Sequence, residues 1–155
     1  MTAPAIVFCG LQGSGKSTFF ARRFADTHVR LNLDTLRTRH REDVLLHACL
    51  AIQQPFVADN TNPTPTSRRR YAALARAAGF AGVECYWFDV PTDLCVARNA
   101  ARPEDKRVPE VGVRGTAAKF VQPTRAEGFD RVWRVTPGDG GEVVVAEVVE
   151  STEAG

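Results

Sequence analysis

The 155-residue sequence contains no apolar run near the roughly 20 residues that a membrane-spanning helix needs, so no membrane partner is expected. Its four cysteines (Cys9, Cys49, Cys85 and Cys95) form no C-x-x-C pair, and His28, His40 and His47 have no partners at metal-ligand spacing. Reduced, buried thiols are therefore expected, and no His/Cys metal centre. The first strand-like run begins by residue 5, which leaves no room for a secretory signal; a cytoplasmic location follows as an expectation. Lysine is scarce, three against seventeen arginines, and no basic residue follows Arg134. Five of the 18 acidic residues do (Asp139, Glu142, Glu147, Glu150 and Glu153), so a net-positive body precedes a negative tail at about 136–155. A basic body suits an anionic substrate, but an excess this small is equally compatible with an ordinary solvated surface. No internal repeat is present, and the length suits one domain, 1–155, with no second catalytic unit.

What the sequence does contain is Gly10-Leu-Gln-Gly-Ser-Gly-Lys-Ser17, a complete G-x-x-x-x-G-K-[ST] phosphate loop. It follows the apolar run Ala5 to Cys9 and precedes a helical stretch from Lys16 to Ala25, the order that a nucleoside triphosphate site requires. Glycines allow backbone conformations denied to other residues, so that N–H groups can turn inward onto phosphate. Gly13, Ser14, Gly15 and Thr18 are the expected cradle for ATP. Lys16 would reach the β- and γ-phosphates, and Ser17 would ligate Mg²⁺.

Strand-like runs at Ala5–Cys9, Val29–Leu33, Pro55–Ala58, Gly82–Phe88 and Asp130–Val135 alternate with helical patterns at Lys16–Ala25, Arg41–Gln53, Thr66–Ala78 and Thr92–Ala101. Such alternation predicts an α/β fold, a parallel sheet with helices on both faces. Ligands in these folds bind beyond the carboxyl ends of the strands. Residues 102–114, rich in charge with two prolines and a glycine, predict a mobile lid, and a short helix is expected at 115–121. The valine-rich stretch 142–150 predicts an added edge strand, and 151–155 a frayed end. Phe8, Trp87 and Trp133 are expected in the core.

Polar residues at the strand ends are the candidates for chemistry. Asp34 follows the second strand and could accept the proton of an attacking hydroxyl, with Arg37 holding an anion beside it; Asp34 could also simply cap a helix. Asp59 stands where a Walker B aspartate would, as a second Mg²⁺ ligand or a substrate anchor. Asn60 and Asn62 offer neutral contacts to substrate, although Asn62 before Pro63 suits a loop cap equally well. Arg98 and Arg102, four apart, could supply an arginine to the transferring phosphoryl group or merely complement a helix dipole. Arg68, Arg69 and Arg70 lie early in a helix, where the dipole disfavours cations; phosphate contact or a solvated face would each explain them.

Taken together, these segments resemble the kinase module of the polynucleotide kinase/phosphatases. The resemblance runs from about Ile6 to Val135. It is carried by Gly13-Ser-Gly-Lys-Ser-Thr-Phe19, Asn32-Leu-Asp-Thr-Leu36, Asp59-Asn-Thr-Asn-Pro63, Ala75-Arg-Ala-Ala-Gly79, Arg98 with Arg102, and Pro123-Thr-Arg-Ala-Glu-Gly-Phe129. It implies a P-loop kinase that moves the γ-phosphate of ATP to a 5′-hydroxyl of DNA or RNA, with Asp34 as general base and Arg102 as the lid arginine on the nucleotide phosphates. Leu33 stands where that family commonly has arginine, removing one cation from the site. Any phosphatase step would be supplied elsewhere. A small kinase acting on an antibiotic, sugar or nucleoside, and a nucleotide-dependent regulatory module, are the other readings.

Overall fold

The computed structural model describes residues 3–150. Six strands form one sheet: β1 (Ala5–Cys9), β2 (Val29–Leu31), β3 (Phe56–Asp59), β4 (Val83–Phe88), β5 (Arg131–Pro137) and β6 (Val143–Glu147). Their spatial order is β2-β3-β1-β4-β5-β6. The first five are mutually parallel, and β6 pairs antiparallel with β5 at the edge, as its valine pattern predicts. The chain leaves β1 toward the β3 side and later returns across β1 to β4. The topological switch point therefore lies between the carboxyl ends of β1 and β3, where this class of sheet binds ligands.

Among the described residues six α-helices accompany the sheet: α1 (Lys16–Arg23), α2 (Leu33–Leu36), α3 (Arg39–Ile52), α4 (Pro65–Ala77), α5 (Thr92–Ala100) and α6 (Glu110–Lys119). Strand periodicity decides which face each covers. In β1 the odd residues Ala5, Val7 and Cys9 pack with Leu46 and Cys49 of α3 and Tyr71, Ala72 and Ala75 of α4. The even residues Ile6 and Phe8 pack with Phe19 of α1, Phe24, Tyr86 and Phe88 on the opposite face. Phe8 is fully buried, as expected, with the rings of Phe19, Phe24, Tyr86 and Phe88 all within 5.9 Å of its own. Trp87 and Trp133 are only half-buried, lying nearer the periphery than the sequence suggests. All four cysteines are free and buried. No helix among the described residues is long and apolar enough to cross a membrane.

Two further expectations change. The segment 102–114 is only partly loop: a 3-10 turn at Glu104–Lys106 is followed by α6, which begins at Glu110 and buries Val113 against Leu11, Val90 and Cys95. Asn99 staples the remaining loop to α5, donating to the Val108 carbonyl at 2.5 Å and accepting its N–H at 3.1 Å. Pro109 at the N-cap starts the helix earlier than the glycine-containing pattern predicts. The fraying expected at 151–155 lies outside the described residues.

The second change concerns Arg68, which is fully buried instead of solvated or free for phosphate. Its Nε and Nη2 donate to Glu127 Oε1 and Oε2 at 2.6 and 3.2 Å, and its Nη1 donates to the Asn62 carbonyl at 2.9 Å. Glu127 also accepts the Thr124 N–H at 2.9 Å, so the Glu-Gly-Phe segment is locked onto α4. Arg70 stays half-exposed and pairs with Asp43. Truncating one partner of such a pair strands a buried charge. Arg68→Ala is expected to cost about 3–5 kcal/mol in urea unfolding, and replacing both partners with apolar residues (Arg68→Met with Glu127→Leu) to cost less than that single change.

Candidate active site

The phosphate loop leaves β1 at Gly10 and enters α1 at Lys16. Gly13 has φ 79°, and a Cβ there would stand 2.5 Å from the Cys95 carbonyl oxygen, so both conformation and space demand glycine. Gly15, at φ 97°, faces open space, and the mouth of the loop is clear on that side. Lys16 Nζ donates to the carbonyls of Gly10 and Leu11 at 2.9 and 2.7 Å, curled over its own loop. Burial pulls its pKa down to about 8; the nearby Asp59 carboxylate opposes that shift.

A cavity of about 520 Å³ opens above the loop. Gly13, Ser14, Gly15, Lys16, Ser17 and Thr18 line it together with Asp34, Asp59, Asn60, Arg98 and Arg102, so most of the predicted residues converge on one space. Arg37 does not line it. It closes α2 with φ 75° and projects as an exposed cation at the start of α3. Asn62 is a second correction: it is buried, its Nδ2 donating to the Phe8 carbonyl at 2.8 Å, and it ties the loop after β3 to β1 instead of meeting substrate.

Asp34 does not cap its helix. Asn32 does, its Oδ1 accepting the Thr35 N–H at 3.1 Å while its Nδ2 donates to the Asp59 carbonyl at 2.7 Å. Asp34 is left exposed in the cavity wall, with no hydrogen bond or ion pair among the described residues. Asn60 fixes the backbone beside it, accepting the Leu33 N–H at 3.0 Å. The other end of that amide donates to buried Glu42 at 3.1 Å. Glu42 also accepts from the Tyr71 hydroxyl, whose pKa burial, seconded by Glu42, pushes up to about 12, so the phenol remains a donor throughout the physiological range.

Arg30, midway along β2, is the functional group that sequence reasoning missed. Its Nε donates to Asp59 Oδ2 at 2.7 Å and its Nη2 to Ser17 Oγ at 2.8 Å. A charge inside a short apolar strand was the available signal. Hydroxyl and carboxylate oxygens are the donors Mg²⁺ prefers, and a positive group already stands between these two, so Ser17 and Asp59 fit the ion. The β5–β6 hairpin was also missed as a cavity wall; it contributes Thr136, Pro137, Gly141, Glu142 and Val143.

A family model described as an AAA domain, AAA_33, matches residues 42–123, just over half of the chain. The chain belongs to this AAA domain family. The matched part of the AAA_33 domain includes the Asp59–Pro63 loop, Arg98 and Arg102. A bifunctional polynucleotide phosphatase/kinase of Schizosaccharomyces pombe is 28% identical over 134 residues, 84% of this chain and 33% of that protein. The domain spans about a third of the length of the curated relatives it matches. Among solved structures, a gluconokinase from Sinorhizobium meliloti 1021 aligns with TM-score 0.58 at 18% identity, over 86% of this chain and 82% of that one. The Mycobacterium tuberculosis APS kinase aligns with TM-score 0.57 at 18% identity, over 88% and 90%. These similarities place the AAA_33 domain in the P-loop kinase fold.

The depressed pKa of Lys16 gives a pH prediction. Below about 8 the ammonium is charged and can hold a triphosphate; above it the free protein loses that charge. ATP affinity should therefore fall as pH rises from 8 to 9.5, by up to about tenfold per unit. Equilibrium binding across that range checks it, and Lys16→Ala should bind weakly with a flat profile.

Proposed function

We propose that residues 1–155 form one ATP-dependent polynucleotide 5′-hydroxyl kinase domain, acting on DNA or RNA ends in repair or end-healing. The observation that carries this reading is Asp34: an unpaired carboxylate in the wall of the cavity that Lys16 and the phosphate loop also line. The similarity to a polynucleotide phosphatase/kinase over 84% of the chain supports the acceptor class.

In this reading Lys16 and the loop N–H groups hold the β- and γ-phosphates of ATP. Ser17 and Asp59 are the residues that would hold Mg²⁺, which supplies charge neutralisation between the phosphates. Asp34 accepts the proton of the acceptor hydroxyl as its oxygen attacks, a role worth roughly 10²- to 10⁴-fold. Arg102, half-buried at the cavity wall with its carbonyl held by Arg107 Nε at 2.5 Å, is better fixed than exposed Arg98 to meet the transferring group. With Arg68 buried and Arg70 paired with Asp43, the acceptor backbone has Arg37, Arg39, His40 and Arg41 to follow, exposed basic groups before and at the start of α3. Cations there work against the helix dipole, and a phosphate strand would offset that cost.

Asp34→Asn should keep ATP affinity and lose turnover; wild-type kcat at saturating substrates would remove the base assignment. Arg102→Ala should lower turnover more than Arg98→Ala, within the 10³- to 10⁵-fold range of an arginine finger as an upper guide.

The acceptor is tested by comparing kcat/KM for a nucleoside 3′-monophosphate and an eight-residue 5′-hydroxyl oligonucleotide. The oligonucleotide should be preferred, and its affinity should fall with salt at a log-log slope of about −1.5 to −2, two or three phosphate contacts. A sugar or antibiotic phosphorylated better than either would assign the site to a small-molecule hydroxyl instead.

A further inference from the structure

Arg30 is a costly residue in its position. Leu31 beside it is fully buried, and the strand it occupies is three residues long. Its register partner on β3 is Val57, and Asp59 lies two residues further along the same face. The side chain therefore crosses one pleat to reach the Asp59 carboxylate, passing the Phe20 ring with its guanidinium carbon 5.7 Å from the ring centre. Asp59 is 1% exposed, so its charge needs a nearby cation. Arg30 meets that need with Nε and spends Nη2 on Ser17 Oγ, a neutral acceptor that contributes little to holding a carboxylate.

The pair of oxygens so engaged is the pair that suits a divalent ion. A guanidinium and Mg²⁺ on the same hydroxyl oxygen would stand within a few ångströms of each other, well inside the ~8 Å over which physiological salt screens charge, so their repulsion would persist. We propose that Arg30 is an internal counter-cation that must release Ser17 before a divalent ion can be ligated there. It thereby sets the Mg²⁺ concentration at which the phosphate loop takes up nucleotide. Its fork permits that release: Nε can keep Asp59 while Nη2 gives up Ser17. The inference rests on the assignment of Ser17 and Asp59 to the metal and does not depend on the acceptor.

The test is binding of a fluorescent N-methylanthraniloyl derivative of ATP, titrated with MgCl₂ in the absence of any acceptor. Arg30→Met keeps the apolar stem and removes the charge. It should lower the Mg²⁺ concentration at half-maximal enhancement of binding by about fivefold, the low end of coupling between linked sites. In EDTA its affinity for the same nucleotide should be unchanged or lower than wild type. Arg30→Lys retains a charge for Asp59 but cannot reach both oxygens as a fork, and should shift the half-point in the same direction by less; it carries the test if Arg30→Met fails to fold. An unchanged or higher half-point, or an equal gain of affinity in EDTA, overturns the proposal. Because no acceptor is present, either result leaves the assignment of a polynucleotide substrate to its own assay.

Discussion

The β1–β3 side of the phosphate loop is held by the four residues from Asp59 to Asn62. The Thr61 carbonyl accepts the Gly10 N–H at 3.0 Å, and Asn62 Nδ2 reaches the Phe8 carbonyl, so the start of the loop is fastened to the end of β3. The Asp59 carbonyl receives Asn32, and Asn60 receives the Leu33 amide, fixing the turn that presents Asp34. The Asn62 carbonyl receives Arg68 and, through it, Glu127. Asn62 achieves this with φ 41°, an unusual value that asparagine tolerates better than most side chains. Side-chain amides suit such a hub because each offers both a donor and an acceptor without a charge to desolvate.

Around that hub the buried polar groups are satisfied in chains. Glu42 is completely buried, and it is answered by Tyr71, Asn60 and Arg39. Such networks contribute little net stability but penalise any rearrangement that leaves one member unpaired. Rigidity is the useful product: the backbone before Asp34 is fixed through Asn60 while the Asp34 side chain remains free. The general-base role proposed for Asp34 would draw on that combination of fixed anchor and uncommitted oxygens.

How much of this is legible in the sequence depends on whether the signal is local. The phosphate loop, the sheet class, the edge strand and the cavity membership of Lys16, Asp34, Asp59 and Arg102 all follow from motif or period, because the responsible residues are near one another in sequence or sit at strand ends. Helix boundaries at α1, α3, α4 and α5 fall within two residues of the pattern. Arg68 was misread because its partner Glu127 lies 59 residues away, and three consecutive arginines give no hint that the first turns inward. Asn62 was ambiguous for a similar reason, its acceptor being on β1. Arg30 was hidden because a strand pattern weighs a lone charge as noise. Arg37 lies outside the cavity for a local reason: the helix after Asp34 is only four residues long, and Arg37 closes it at φ 75°.

The charge asymmetry of the chain also acquires a physical meaning in three dimensions. In sequence the acids after Arg134 look like a solvated tail. In the structure, β6 pairs back onto β5 and brings Glu142 to the same cavity that Arg22, Arg98, Arg102 and Lys16 line. One wall is therefore carboxylate and valine, while the loop and the end of α5 are cationic. An anion entering this space is repelled by Glu142 on the hairpin side and attracted by the cations of the loop and α5. An electrically neutral group meets no such penalty at the hairpin. Of the described acids after Arg134, Glu142 alone lines this cavity, so the charge asymmetry of the sequence reaches the site through one exposed carboxylate set opposite the cations of the loop and of α5.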